Sequence, residues 1–292
     1  MAISTEEGVI NIPEGKIWYR IVGSGDQIPI LTLHGGPGAG HDYLESFEKL
    51  ASKDRRVIFY DQLGCGKSDL PNDKSLWHID RSVQEVDLVR QALKLDQIHL
   101  IGQSWGGWLS IEYMLSQPTG IQSLVLASTS ASIPEFVEEA NKLKALLPKE
   151  TRDTLEYYES KQDYHNPKYE EAVMEFYKRH VCRMNIWPDC IMRTVDNLDR
   201  NQVYETMNGP NEFTVIGNLK NWNRINRLGE INTPTLITVG KYDEITPKCS
   251  QTIHNGIKNS QMHIFQKSGH TAHLEEMEEY MEIVKKFITK NE

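Results

Sequence analysis

Ile98-His-Leu-Ile-Gly-Gln-Ser-Trp-Gly-Gly107 is the stretch on which the fold turns. Ile98–Ile101 is a short apolar run, too short for a helix, that ends in glycine, so it reads as a buried strand. Trp105 to Ser116 follows directly and is compatible with a helix. Between them lies Gly102-Gln-Ser104-Trp-Gly106, a G-x-S-x-G turn in strand–turn–helix context, where a serine hydroxyl is lifted above a sheet on a sharp elbow. Such a turn leaves room only for small neighbours, which Gly102 and Gly106 supply. The helix N-terminus beneath Ser104 favours negative charge that develops there.

Working outward, the same strand style recurs. Ile30–Leu33, Val57–Tyr60, Ser123–Ala127, Thr235–Val239 and Met262–Phe265 are short apolar runs bounded by glycine or polar residues. Val9–Ile12 and Lys16–Val22 flank Pro13-Glu14-Gly15 and read as a hairpin. Val83, Val86, Val89 and Leu93 share one helical face, as do Leu274, Met277, Met281, Val284 and Ile288. Strands alternating with helices predict an α/β fold with a mostly parallel sheet. From about 130 to 225 the strand signals stop. Pro134, Pro148 and the pair Asn166-Pro167 mark helix starts instead. The expected organisation is a sheet domain of residues 1–129 and 226–292 with a helical insertion, 130–225.

A serine nucleophile needs a base, and the base an orienting acid. In this architecture they follow the serine as acid, then histidine. Asp243 lies just past the strand Thr235–Val239 and His270 just past Met262–Phe265, at the strand ends where α/β sheets place their sites. His34-Gly-Gly-Pro-Gly38 follows Ile30–Leu33 and matches a glycine-rich oxyanion loop. The expected oxyanion donors are the N–H groups of Gly36 and Trp105. His34 itself is expected to be structural. His273 stands three residues from His270, yet no further ligand cluster supports a metal pair. Neither a metal nor an organic cofactor is expected.

These motifs, together with Asp61-Gln-Leu-Gly-Cys-Gly-Lys-Ser68, resemble the proline iminopeptidase (prolyl aminopeptidase) family of serine α/β-hydrolases. The resemblance covers the whole chain, more weakly through the insertion. It implies an eight-stranded, mostly parallel sheet flanked by helices, with an inserted helical cap. It also implies release of an N-terminal residue, proline first among those expected, by Ser–His–Asp acyl transfer. Met207-Asn-Gly-Pro-Asn-Glu-Phe213 resembles the cap segment that carries an amine-binding glutamate, which gives Glu212. The residue after the acid gives a second such glutamate, Glu244, and Tyr204 is a weaker candidate for the same pocket. Two carboxylates in a water-poor pocket are costly unless a cation joins them, and a protonated substrate amine is such a cation. Leu63 stands where many members carry arginine, which leaves the subgroup and the strictness of proline preference open. An amidase or esterase of the same fold, without the amine requirement, is the alternative. A non-catalytic binding protein on the same scaffold is the third reading.

The chain of 292 residues carries 32 Lys and Arg against 41 Asp and Glu, a formal charge of −9. Without a basic block, nucleic acid is not an expected partner. No apolar run reaches the ~18 residues of a membrane span. Met1–Glu7 has neither the basic nor the apolar region of a secretory leader. Cys65, Cys182, Cys190 and Cys249 show no zinc or redox spacing and read as reduced thiols of a cytoplasmic protein. The expected partners are short peptides or aminoacyl amides with a free N-terminal amine. The sequence fixes no oligomeric state and is compatible with a monomer.

Overall fold

One eight-stranded sheet organises the protein. The computed structural model describes residues 4–292; Met1–Ile3, part of the stretch read above for a leader, lie outside it. The strands are β1 (Thr5–Ile12), β2 (Gly15–Val22), β3 (Ile30–Leu33), β4 (Val57–Tyr60), β5 (Ile98–Gln103), β6 (Ile121–Ala127), β7 (Thr235–Gly240) and β8 (Ser260–Phe265). Their order across the sheet is β1-β2-β4-β3-β5-β6-β7-β8. β1 and β2 form the expected hairpin, with Ile12 opposite Gly15, and β2 pairs antiparallel with β4. All other pairings are parallel.

Both faces of the central strands are covered, which explains their unbroken apolar runs. Successive side chains point to opposite faces. Leu31, Leu100, Leu124 and Ile237 join a core with α1 (Ile79–Ala92), α2 (Trp105–Leu115) and α8 (Pro247–Gly256). Ile30, Ile101, Val125 and Leu236 join the other core, with the 3-10 helix Asp42–Leu50 and α10 (Met277–Lys290).

Between β6 and β7 lie α3 (Ile133–Lys144), α4 (Lys149–Ser160), α5 (Pro167–His180), α6 (Asp189–Asp199) and α7 (Val203–Met207). The expected helix starts are in place. Ser132 caps α3 with Pro134 in its first turn, and the Asn166 side chain accepts from the Lys168 N–H at 3.2 Å. Among the described residues no helix is long and apolar enough to cross a membrane.

The C-terminal apolar stripe, read as one helix, is two. α9 (Ala272–Glu275) ends at Glu276, whose backbone leaves the helical region at φ −123° and ψ 47°. The Glu276 carboxylate accepts from the Lys267 N–H at 2.9 Å and from the Ser268 hydroxyl. The break therefore braces the loop that presents His270.

Candidate active site

Ser104 sits between β5 and α2 at φ 57° and ψ −122°, a left-handed backbone that costs a non-glycine residue about 1–3 kcal/mol. The neighbouring glycines make this turn possible. A Cβ on Gly106 would stand 2.0 Å from the Leu33 carbonyl oxygen, and one on Gly102 would stand 2.2 Å from that of Gly106. The Thr129 hydroxyl bonds the Ser104 carbonyl at 2.8 Å and steadies the elbow.

The glycine loop after β3 faces the elbow. Gly36 has φ 102°, open to glycine at little cost. Among the described residues, neither the Gly36 nor the Trp105 N–H donates to a protein acceptor, so both remain available to a ligand oxygen. The loop is braced from behind. His34 Nε2 accepts from the Gln62 N–H at 3.0 Å, and Gln62 Oε1 accepts from the Trp105 indole at 2.9 Å. Burial pushes the His34 pKa down, and these bonds suit its expected structural place. Asp61 accepts from the His41 ring at 2.8 Å and the Lys67 N–H at 2.8 Å. The Asp61–Ser68 segment is thus a self-bonded turn. Leu63 is buried in it and its N–H points to Glu85, which Arg81 pairs.

His270 donates from Nδ1 to Asp243 Oδ1 at 2.7 Å. Its own N–H is tied to the His180 carbonyl at the end of α5, at 2.9 Å, so the helical insertion helps fix the loop. Burial alone would lower the His270 pKa. The Asp243 charge and hydrogen bond, with Glu244 and Glu212, outweigh it and raise the value to about 9. His273 goes elsewhere. Its Nε2 meets the Tyr43 carbonyl at 3.1 Å, its ring stacks on Phe47, and burial drops its pKa to about 3.

Glu244 is fully buried, and neither of its carboxylate oxygens has a hydrogen-bond partner. Oε1 lies 4.0 Å from His270 Nε2. Burial first, then the Glu212 charge, pushes its pKa well up. Glu212 is raised by burial too, although His270 opposes the shift. The Tyr177 hydroxyl accepts from the Glu212 N–H at 3.2 Å, and the buried Tyr204 hydroxyl faces the Glu212 carboxylate. Buried polar groups without partners are rare and call for an explanation.

Ser104, His270, Gly36 and Glu212 line one cavity of about 100 Å³, while Asp243 and Glu244 sit behind it. Sequence reasoning missed several of its walls. Tyr43 accepts from the Gly35 N–H at 2.7 Å and donates to Gln103, yet nothing in its local sequence marks it. Gln103 is the unspecified second position of the serine motif, and it also reaches the His270 carbonyl at 3.2 Å. On the α6 wall, the spacing of Ile191, Val195 and Leu198 marks a helix face but not that the face lines a cavity.

Residues 28–277 match the alpha/beta hydrolase fold family. The chain is 42% identical to a proline iminopeptidase of Saccharolobus solfataricus over 98% of its length and 93% of the relative's. It is 38% identical to one from Thermoplasma volcanium, covering 98% and 97%. A proline iminopeptidase crystal structure from Mycobacterium smegmatis superposes with a TM-score of 0.91 at 36% identity, covering 98% of both chains. The structure of VinJ superposes at 0.93 with 33% identity, covering 98% and 99%.

Proposed function

Because this chain belongs to the proline iminopeptidase family of serine α/β-hydrolases, we propose that it releases the N-terminal residue, proline foremost, from short peptides and aminoacyl amides. It is a serine aminopeptidase, and the observation that carries the substrate reading is the buried pair of carboxylates beside His270. Glu244 keeps two buried oxygens without partners, and Glu212 reaches the same region from the helical insertion. A cation relieves that arrangement while both carboxylates stay ionised, and a protonated α-amine two bonds from the scissile carbonyl has the right charge.

Ser104 Oγ attacks that carbonyl while His270 Nε2 takes its proton. Asp243 holds His270 in the Nδ1–H tautomer and stabilises the imidazolium. The N–H groups of Gly36 and Trp105 receive the oxyanion, each such donor being worth about 3 kcal/mol. Collapse sends the proton from His270 to the leaving amine and leaves an acyl-Ser104 ester. Water, activated by His270, then frees the amino acid. Residues 130–225 act as a cap that delivers Glu212, over a catalytic domain of 1–129 and 226–292. The four unpaired thiols suit a cytoplasmic setting.

The test compares proline p-nitroanilide with its N-acetyl form, with Ser104→Ala as the control. Turnover of the free amine at least ~100-fold above the blocked form, lost in Ser104→Ala, is expected. Equal rates on the two would replace the aminopeptidase by an amidase without an amine requirement.

A further inference from the structure

The cavity is sorted by polarity along the sheet. β7, which carries Asp243 and Glu244 past its end, lies two strands to one side of β5. β3, which carries the glycine loop, lies on the other side of β5 and next to it. α6 is fastened to the β3 side. Asn197 donates to the Ala39 carbonyl at 3.2 Å, and Arg193 grips Glu45 at 2.7 Å and also Asp42. The face α6 turns to the cavity is uncharged and mostly apolar: Ile191, Val195 and Leu198, with Trp187 just before the helix, and Thr194, whose hydroxyl is taken up by the Cys190 carbonyl at 2.9 Å. Among the described residues, no lysine or arginine lines the cavity. Arg193, the cation nearest in sequence to this face, is occupied by Asp42, Glu45 and Asp189.

Under the reading above, the amine is held on the β7 side, so the chain beyond the scissile bond runs toward β3 and α6. We propose that Trp187, Ile191, Val195 and Leu198 form the subsite for the leaving side of the substrate. This subsite selects an apolar second residue whose own carboxyl group is not ionised. A free dipeptide places a carboxylate two bonds past the scissile nitrogen, against an apolar wall without a cation. Desolvating an unpaired carboxylate there is costly. An amide, an ester or a further residue at that point carries no charge and meets no such cost. The second residue's side chain gains by leaving water for the α6 face.

The experiment keeps the free prolyl amine fixed and varies only the leaving side. kcat/KM is measured on Pro-Leu-NH2, Pro-Leu and Pro-Gly-NH2. Pro-Leu-NH2 is expected to exceed both others by about tenfold or more, the order expected for one unpaired charge or one lost apolar side chain. Val195→Lys supplies the missing cation and should raise the Pro-Leu to Pro-Leu-NH2 ratio about tenfold. Leu198→Ala and Ile191→Ala, which keep the face uncharged, should narrow the gap between Pro-Leu-NH2 and Pro-Gly-NH2. Equal kcat/KM for Pro-Leu and Pro-Leu-NH2, or an unchanged Leu-to-Gly ratio in both alanine variants, overturns the subsite and leaves the aminopeptidase reading standing. Failure of that reading is distinct: no free-amine prolyl substrate would turn over, or N-acetylated ones would turn over equally well.

Discussion

The sheet and the helices inserted after β6 are built by different rules. In the sheet, position follows from chain order. Ser104, Asp243 and His270 each stand just past a strand, and parallel pairing alone brings those ends to one edge. In the insertion, position follows from packing. Glu212 lies in a loop after α7 and reaches the site only because that loop packs beside Tyr177 of α5. On the function proposed above, the first region carries chemistry common to many hydrolases and the second decides which substrates meet it.

Variants should separate the two regions by the substrates they affect. On the sheet side, Asp243→Asn is expected to cut kcat by about 10⁴-fold, since the wrong His270 tautomer would face Ser104. Loss should be similar for proline p-nitroanilide and for a small activated ester with no amine, such as p-nitrophenyl acetate. On the insertion side, Glu212→Gln should lower kcat/KM for the anilide by roughly 30- to 1000-fold, the range for removing one partner of a desolvated charge pair. The ester should be nearly untouched. Equal losses on both substrates would erase the contrast.

A pH series sharpens it further. His270, raised to about 9, must lose its proton to act as base, so kcat/KM climbs with pH for either substrate, until for the anilide its own amine, at about 8, gives up the proton the pocket holds. Glu212 and Glu244 also have raised pKa values, through burial first. They must ionise to hold a cation, which adds a second dependence of the same sign for the anilide alone. The acid limb of log kcat/KM should therefore be steeper for the anilide than for the ester. Glu244→Gln, which cannot titrate, should bring the anilide slope back toward one. The smallest effect is on stability. Asn166→Ala removes the cap of α5 and should cost about 1 kcal/mol in denaturant unfolding, with the ester activity of the folded enzyme kept.

Much of the sheet was legible because a strand covered on both faces must be apolar along its length. Ile30–Leu33 and Val57–Tyr60 have the limits that their composition implied. The break at Glu276 was hidden because the apolar stripe runs through it in phase, and only the carboxylate's contacts with Lys267 and Ser268 explain it. At the site, Ser104, Gly36, Asp243 and His270 could be nominated from motif and strand-end position. Glu212 could be nominated only through family resemblance, since a glutamate in a polar loop has no local mark. Tyr43, Tyr177 and the α6 wall gave no functional signal. Aromatic and aliphatic residues at helical spacing look alike whether they face a core or a cavity.

The sequence by itself determined the strand order of events: which segments are buried strands, where the serine elbow falls, and which acid and histidine follow it. Local sterics and periodicity suffice for that, because glycine at 102 and 106 is demanded by distances within one turn and its nearest strand. Only the tertiary structure decided that Glu244 is sealed without partners, that His270 is bound to the end of α5, and that α6 offers an uncharged wall beside Ser104. Those properties come from desolvation and from contacts between segments far apart in the chain. Burial is a relation among such segments, and no single one of them encodes it.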